Sequence, residues 1–234
     1  VNLILLNPED IQNGKAWITG SKLEHILAHI KPELGETLKA GVINGQIGTG
    51  TITEISGDGI ALNLDIQNPP PPPLPLKLIL AMPRPKVLNR VIQHTSSMGI
   101  KEIYIIKTWR VEKSYWETPM LEEENLRMQM ITGLEQSRDT ILPVINIRKR
   151  FKPFVEDELP EIINGALALT AHPSGERACP RAVNTPVTLA IGPEGGFLPY
   201  EIDALQKIGF ETVSLGERIL RVETAIPLLV GRLF

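Results

Sequence analysis

The chain is short of several things that would define other kinds of protein. It has one cysteine in 234 residues, so it forms neither an internal disulfide nor a cysteine-based metal cluster. That residue, Cys179, precedes Pro180 in loop-like sequence and reads as an ordinary free thiol. No run is long and apolar enough to span a bilayer. The opening residues 1–8 lack the basic flank of a secretory signal. Aromatic residues make up only 5%. These absences predict a protein of the reducing cytoplasm with no place in a membrane.

What is present suits an ordinary core: 42% of the residues are hydrophobic and 22% are charged. The formal net charge is −3, which by itself argues against a polyanionic partner. The distribution argues the other way. Residues 1–76 carry 4 basic and 8 acidic side chains, residues 77–152 carry 14 and 8, and residues 153–234 carry 6 and 11. The middle third is a basic field that includes Arg84, Lys86, Arg90, Lys107, Arg110, Lys113, the run Arg148-Lys149-Arg150 and Lys152. Such a field either steers a polyanion or is a solvated basic face.

Asn68 is followed by Pro69-Pro70-Pro71-Pro72-Pro73-Leu74-Pro75. Consecutive prolines hold an extended rod and cannot pair inside a sheet. The tract lies between two segments of folding character, so it reads as a semi-rigid spacer rather than a ligand for a proline-reading domain. Three regions follow: residues 1–67, 68–75 and 76–234. In the first, apolar runs at 3–6, 16–19, 37–43, 47–55 and 60–64 are separated by turn signals such as Asn44-Gly45 and Gly57-Asp58-Gly59. One helix interrupts them, with Ser21 and Glu24 spaced as a capping box. It carries His25 and His29 four apart, which without a third ligand make no metal site. This pattern predicts a small, acidic β-barrel with one helix.

In the third region, strands at 76–81, 102–106, 144–147, 166–170, 187–191 and 212–215 alternate with helices at 85–98, 121–137 and 200–208. Gly99 and Gly209 follow two of these helices, as glycine does after a last turn. The alternation predicts an α/β domain with a mostly parallel sheet covered by helices on both faces.

In such domains ligands bind at the carboxyl ends of strands. Two of the last strands empty into unusual loops. Gly192-Pro193-Glu194-Gly195-Gly196 has neither the glycine spacing of a dinucleotide fingerprint nor the Lys-Ser/Thr ending of a phosphate loop. It either lets a ligand approach its amides or makes a tight turn. Arg218 and Arg221 are three apart, with Glu223 close behind, where an apolar helical run begins. In helical geometry they share a face. They either hold a phosphate or oxyanion through forked donors, or pair with Glu217 and Glu223 at the surface. Glu135-Gln136-Ser137-Arg138, at the end of the helix at 121–137, either reaches a phosphate or base edge or caps that helix.

Together, the segment Ile191-Gly192-Pro193-Glu194-Gly195-Gly196-Phe197, then Glu201, Leu215-Gly216, Arg218-Ile219-Leu220-Arg221 and Glu223-Thr224-Ala225, resembles the RsmE family. These are 16S ribosomal RNA (uridine-N3) methyltransferases of the SPOUT superfamily. Glu135-Gln136-Ser137-Arg138 is similar to that family's Glu-Gln-Ser-Arg stretch. His25, Lys31 and Gly35-Glu36 stand in a family-like spacing. The resemblance covers nearly the whole chain. The chain departs from the family pattern at Gln93-His94 and Ser96-Ser97-Met98-Gly99, where Gln-Lys and Thr-Glu-Leu-Gly are usual. It also has Lys31 for an arginine, Glu217 for a proline and Val222 for a threonine.

The resemblance implies an α/β fold with a SPOUT-type knot, trefoil-knotted and mostly parallel, behind a PUA-like β-barrel. It implies S-adenosylmethionine as cofactor, held largely by backbone at Leu169, Thr170, Ala171, His172, Ile191, Gly192, Pro193, Glu194, Gly195, Gly196, Leu215, Gly216, Arg218, Ile219 and Leu220. It implies a homodimer, no metal, and methylation of N3 of one uridine in the 16S RNA of the small ribosomal subunit. For that reaction Arg221, and after it Arg218, is the candidate to stabilise charge on the uridine oxygens. Glu223 or Glu194 is the candidate to take the N3 proton. Lys31, Arg84, Arg90, Arg110 and Arg138 are candidates for RNA contact. Two other functions fit the same residues: a SPOUT methyltransferase of a different RNA, and a non-catalytic RNA-binding or ribosome-assembly factor that retains a cofactor pocket.

Overall fold

The computed structural model describes residues 2–29 and 31–234, without the side chains of Ser21, His25 and His29. The expected capping box at Ser21 and the His25–His29 pair therefore lie outside the described residues. Two compact units divide the chain between Pro72 and Pro73, inside the proline tract. Residues 130–142 belong to the first unit, which makes that unit discontinuous in sequence.

The first unit contains β1 (Ile4–Leu6), β2 (Ile11–Gln12), β3 (Lys15–Ile18), α1 (Gly20–His29), β4 (Thr37–Val42), β5 (Ile47–Ile55) and β6 (Ile60–Asn68). Its sheet runs in the order β1-β4-β5-β6-β3-β2 and is of the PUA-like kind. β1 pairs with β4 in parallel, and the other pairings are antiparallel. Alternate residues turn inward, as a half-buried strand requires. Ala16 and Ile18 of β3 and Leu38 and Ala40 of β4 meet Ile52, Ile60 and Leu62 in one core. β1 is buried on both sides. Ile4 and Leu6 join that core, while Leu3 and Leu5 pack with Ile43 and Leu134. This explains an unbroken apolar run where alternation would be expected.

Residues 130–142 are fastened to the barrel by specific bonds. Glu135 Oε1 accepts the Leu5 N–H at 3.2 Å, Asn2 Nδ2 donates to Gln136 O at 3.0 Å, and Thr140 Oγ1 donates to Gly45 O at 2.5 Å. Ser137 Oγ turns back on Gly133 O at 3.1 Å. The Glu135 and Ser137 side chains and the Gln136 carbonyl are therefore engaged in structure, while the Gln136 side chain is exposed. Arg138 is exposed, at φ +58°, where the helix stops.

The second unit contains β7 (Leu76–Ala81), α2 (Pro85–Ser97), β8 (Glu102–Ile106), the first half of α3 (Glu123–Ser137) and β9 (Val144–Arg148). Next come α4 (Phe151–Pro153), a π-helical turn (Phe154–Glu158), α5 (Leu159–Ile162), β10 (Leu167–Ala171), β11 (Arg177–Ala178), β12 (Val187–Ile191), α6 (Pro199–Lys207), β13 (Glu211–Ser214) and α7 (Val222–Leu233). The sheet order is β11-β13-β10-β12-β7-β8-β9, and its pairings are parallel. On one face Ile79, Ala81, Tyr104, Ile106, Ala168 and Ala190 pack under Phe154, Val155, Leu159 and Leu205. The intervening residues, among them Leu78, Leu80, Ile103, Ile105 and Leu189, are also buried. α2 and α7 pack against each other.

The connection from β10 to β12 runs outward, pairs with β13 as β11, and returns. Its Ala182 and Val183 amides donate to Arg232 O at 3.3 Å and Leu233 O at 2.6 Å. Arg232 Nε donates to Cys179 O at 2.6 Å. The last turn of α7 is thereby fastened to this connection, the arrangement of a SPOUT-type knotted fold. Chains normally avoid threading, so periodicity alone does not reveal it.

Candidate active site

β13, β10 and β12 are neighbours in the sheet, so the loops leaving their carboxyl ends lie side by side. Between them is a cleft open to solvent. Its wall takes Ala171, His172 and Pro173 from the first loop and Ile191, Gly192, Pro193, Glu194 and Gly196 from the second. Val213, Ser214, Leu215, Gly216, Arg218, Ile219 and Leu220 come from β13 and its loop, and Val222, Ala225 and Leu229 from α7. Leu169 and Thr170 are placed deeper in β10, fully buried, and Gly195 faces Arg110. The reading from sequence omitted Pro173, Val213, Ser214 and the three α7 residues. Val222, Ala225 and Leu229 fall at i, i+3 and i+7, and that helical period was the signal for them.

Backbone sterics dictate the shape of the glycine loop. A Cβ on Gly192 would lie 2.9 Å from Phe197 N and 3.2 Å from Gly196 C. Only hydrogen fits there, because the obstacle is main chain. Gly216 has φ +112°, a conformation that side chains disfavour. The choice between tight turn and ligand-facing loop dissolves: the loop is a tight turn, and its rim forms cleft wall.

The charged groups around the cleft are held in place. Glu194 is exposed, and its Oε1 accepts the Arg84 N–H at 3.1 Å. The Arg110 guanidinium donates to Gly195 O. His172 Nδ1 accepts the Ser174 N–H at 3.2 Å and lies 2.7 Å from Ser174 Oγ. Burial, and then the Arg110 charge, hold the His172 imidazole below its ordinary pKa. Glu223 pairs with Arg90 at 3.4 Å.

The two arginines do not share a helical face as their spacing predicted. α7 starts at Val222, Arg221 is its extended N-cap residue, and Arg218 lies in the loop before it. Arg218 borders the cleft, while Arg221 is exposed beside it in sequence. Of the residues expected to touch RNA, Arg84, Arg90 and Arg110 belong to the second unit, and Lys31 and Arg138 to the first. Among the described residues, no three His, Cys, Asp or Glu side chains are placed to hold a metal ion, and no helix is long and apolar enough to cross a membrane.

A mostly parallel sheet with a glycine-walled cleft at the carboxyl ends of its strands defines an α/β fold that solved methyltransferase structures share. Within it, the chain belongs to the RNA methyltransferase domain family, whose model matches residues 70–233. It is 29% identical over 232 residues to the ribosomal RNA small subunit methyltransferase E of Treponema pallidum, covering 96% of this chain and 87% of that protein. Two solved structures share the fold. One is a Legionella pneumophila protein with bound S-adenosylmethionine, at TM-score 0.77 and 24% identity, covering 97% of this chain and 95% of that one. The other is the ribosomal RNA small subunit methyltransferase E of Neisseria gonorrhoeae with S-adenosylmethionine, at TM-score 0.75 and 21% identity, covering 98% and 95%.

Proposed function

We propose that this protein methylates N3 of a uridine in the 16S RNA of the small ribosomal subunit, using S-adenosylmethionine. The observation that carries the reading is the cleft at the knot. Its wall combines apolar Ile191, Leu215 and Leu220 with close-approach backbone at Gly192, Gly196 and Gly216. That mixture suits a ligand with an adenine ring and polar edges. The cofactor supplies an electrophilic methyl group when bound. The names of the relatives support ribosomal RNA as the substrate.

The chain must then present a deprotonated N3 to that methyl. Removing the proton leaves charge on the two ring oxygens, and a guanidinium beside them favours the anion. Arg221 and Arg218 are the candidates, and the position of Arg218 on the cleft supports it. Glu194 and Glu223 remain the candidates for the proton. Glu194 borders the cleft, whereas Glu223 is turned to Arg90. Holding the nucleophile in line supplies much of the rate. We assign RNA contact to the basic residues of both units. A homodimer in the cytoplasm is part of the same proposal. The half-exposed Leu228 and Phe234 on α7 support a subunit contact there.

Labelled methyl transfer to small-subunit RNA, followed by mass spectrometry of the nuclease digest, tests the reading. The expected product is 3-methyluridine at one position. Methylation of another RNA would favour the second SPOUT reading. Cofactor binding without any transfer would favour the assembly-factor reading.

A further inference from the structure

Two exposed aromatic side chains stand next to the cleft without lining it. Trp109 is 77% exposed and Tyr200 52%. An indole left in water forfeits the burial that aromatic side chains usually gain. Neither residue sits on a slack segment. The Trp109 N–H donates to Glu201 Oε1 at 2.8 Å, and the Tyr200 hydroxyl donates to the same oxygen at 3.4 Å. Glu201 is fully buried, so one fixed oxygen brings the two aromatic residues to one place. The turn at Trp109 is closed by the Val111 N–H on Thr108 O at 3.3 Å. The Tyr200 ring also meets Phe151 edge-on, with centroids 6.4 Å apart.

The surroundings are basic. Arg110 follows Trp109 and reaches Gly195 O in the glycine loop. The Lys107 N–H donates to Arg148 O at 3.0 Å, which puts the Trp109 loop beside the end of β9. Lys149 and Arg150 are exposed there. Contacts thus run from Arg150 and Phe151 through Tyr200, Glu201 and Trp109 to the cleft loop.

Unpaired RNA bases stack on aromatic faces while basic side chains track the phosphates. We propose that Trp109 and Tyr200 form a stacking shelf for unpaired nucleobases flanking the methylated nucleotide, with Arg110, Lys149 and Arg150 on the phosphates. This rests on the reading of the cleft as a methyl-transfer site for RNA. The shelf positions the RNA and takes no part in making or breaking bonds.

The test uses the full chain. Methyl transfer to purified small-subunit RNA is compared for the wild type, Trp109→Ala, Tyr200→Ala and Trp109→Phe. The expected KM for RNA rises about tenfold to a hundredfold in Trp109→Ala, with kcat within about twofold of wild type. Trp109→Phe keeps most of the affinity, because its ring still stacks. Calorimetry shows unchanged binding of S-adenosylmethionine in all four proteins. A single-stranded oligouridine of about ten nucleotides quenches tryptophan emission in the wild type and much less in Trp109→Phe. Unchanged KM in both alanine variants, with unchanged affinity for the oligouridine, overturns the proposal. So does a fall in subunit number by light scattering with RNA affinity retained, which would make the shelf a contact between copies of this chain. Quenching without methyl transfer by the wild type supports the shelf and overturns only the enzymatic reading.

Discussion

Glu201 is the residue whose removal should cost the second unit most per atom. Its carboxylate is fully buried and closes two loops at once. Oε2 accepts the Leu198 N–H at 2.8 Å, at the start of α6, and Oε1 accepts the Trp109 N–H at 2.8 Å. Glu201→Ala leaves both amides without their acceptor beside a fully buried position. An unsatisfied buried donor costs about 1–3 kcal/mol, so the pair costs about 2–6 kcal/mol. In a chain of this length each kcal/mol is about 2–4 °C of Tm, which predicts a fall of about 5–20 °C. Glu201→Gln keeps one oxygen acceptor and points an NH₂ at the other amide, so its fall should be roughly half as large. Two units need not melt together. Scanning calorimetry should therefore be read on the transition that S-adenosylmethionine raises, which marks the unit holding the cleft. A Tm for Glu201→Ala within about 1 °C of wild type would refute the account of Glu201 as the clasp of both loops.

Gly192→Ala should weaken S-adenosylmethionine binding by at least about tenfold, since the new methyl meets main chain of the same loop; calorimetry checks this, and wild-type affinity would contradict it. Arg218→Ala should lower kcat about a hundredfold or more, as loss of a charge-stabilising donor does, while Arg221→Ala should chiefly raise KM for RNA; the reverse pattern in steady-state methylation would hand the oxygens to Arg221. The His172 imidazole is held below its ordinary 6.5 in the folded state, so the unfolded chain binds the proton more readily. Its contribution to stability is then full above about pH 6.5 and is lost as pH falls through the lowered folded value. His172→Asn should flatten the loss of stability between about pH 7.5 and 5.5, measured by urea unfolding, and an unchanged slope would exclude His172 as its source.

Sequence patterning made the strands of the parallel sheet legible because each ends at a strong signal, as β12 does at Gly192-Pro193. The helical stretch from α4 to α5 was not legible. Pro153 and Pro160 make it look like loop, yet Pro153 falls in the first helical turn, where a missing N–H costs nothing, and Pro160 follows the π-helical turn, where the regular ladder is already interrupted. The attachment of residues 130–142 to the barrel rests on Glu135, Asn44 and Thr140, whose partners are far away in sequence. Local spacing holds no trace of it. At the cleft, glycine chemistry pointed to residues 192–196 and 216. The helical spacing of Arg218 and Arg221 misled, because apolar periodicity fixes where α7 packs but not where its first turn begins.

The departures from the family pattern gain meaning from where they lie. The Ser97 hydroxyl and the Met98 N–H both bond to His94 O, at 2.9 and 3.0 Å. Gly99 O accepts the Leu74 N–H at 2.9 Å, just ahead of β7. His94 and Ser97 therefore stand where α2 ends, at the amino end of the parallel strands. The cleft is at their carboxyl ends, so the positions where this chain lacks the family's lysine and glutamate lie outside the cleft wall. Glu217 and Val222 are the exceptions: Glu217 lies in the cleft loop between Gly216 and Arg218, and Val222 is buried in the cleft wall at the first turn of α7. A valine there puts a methyl in place of a hydroxyl in the cleft wall, beside Ala225 and Leu229. Any difference in cofactor affinity from the family should trace to those two positions. Any difference in RNA choice should trace to surfaces away from the cleft wall, the Trp109–Tyr200 shelf among them.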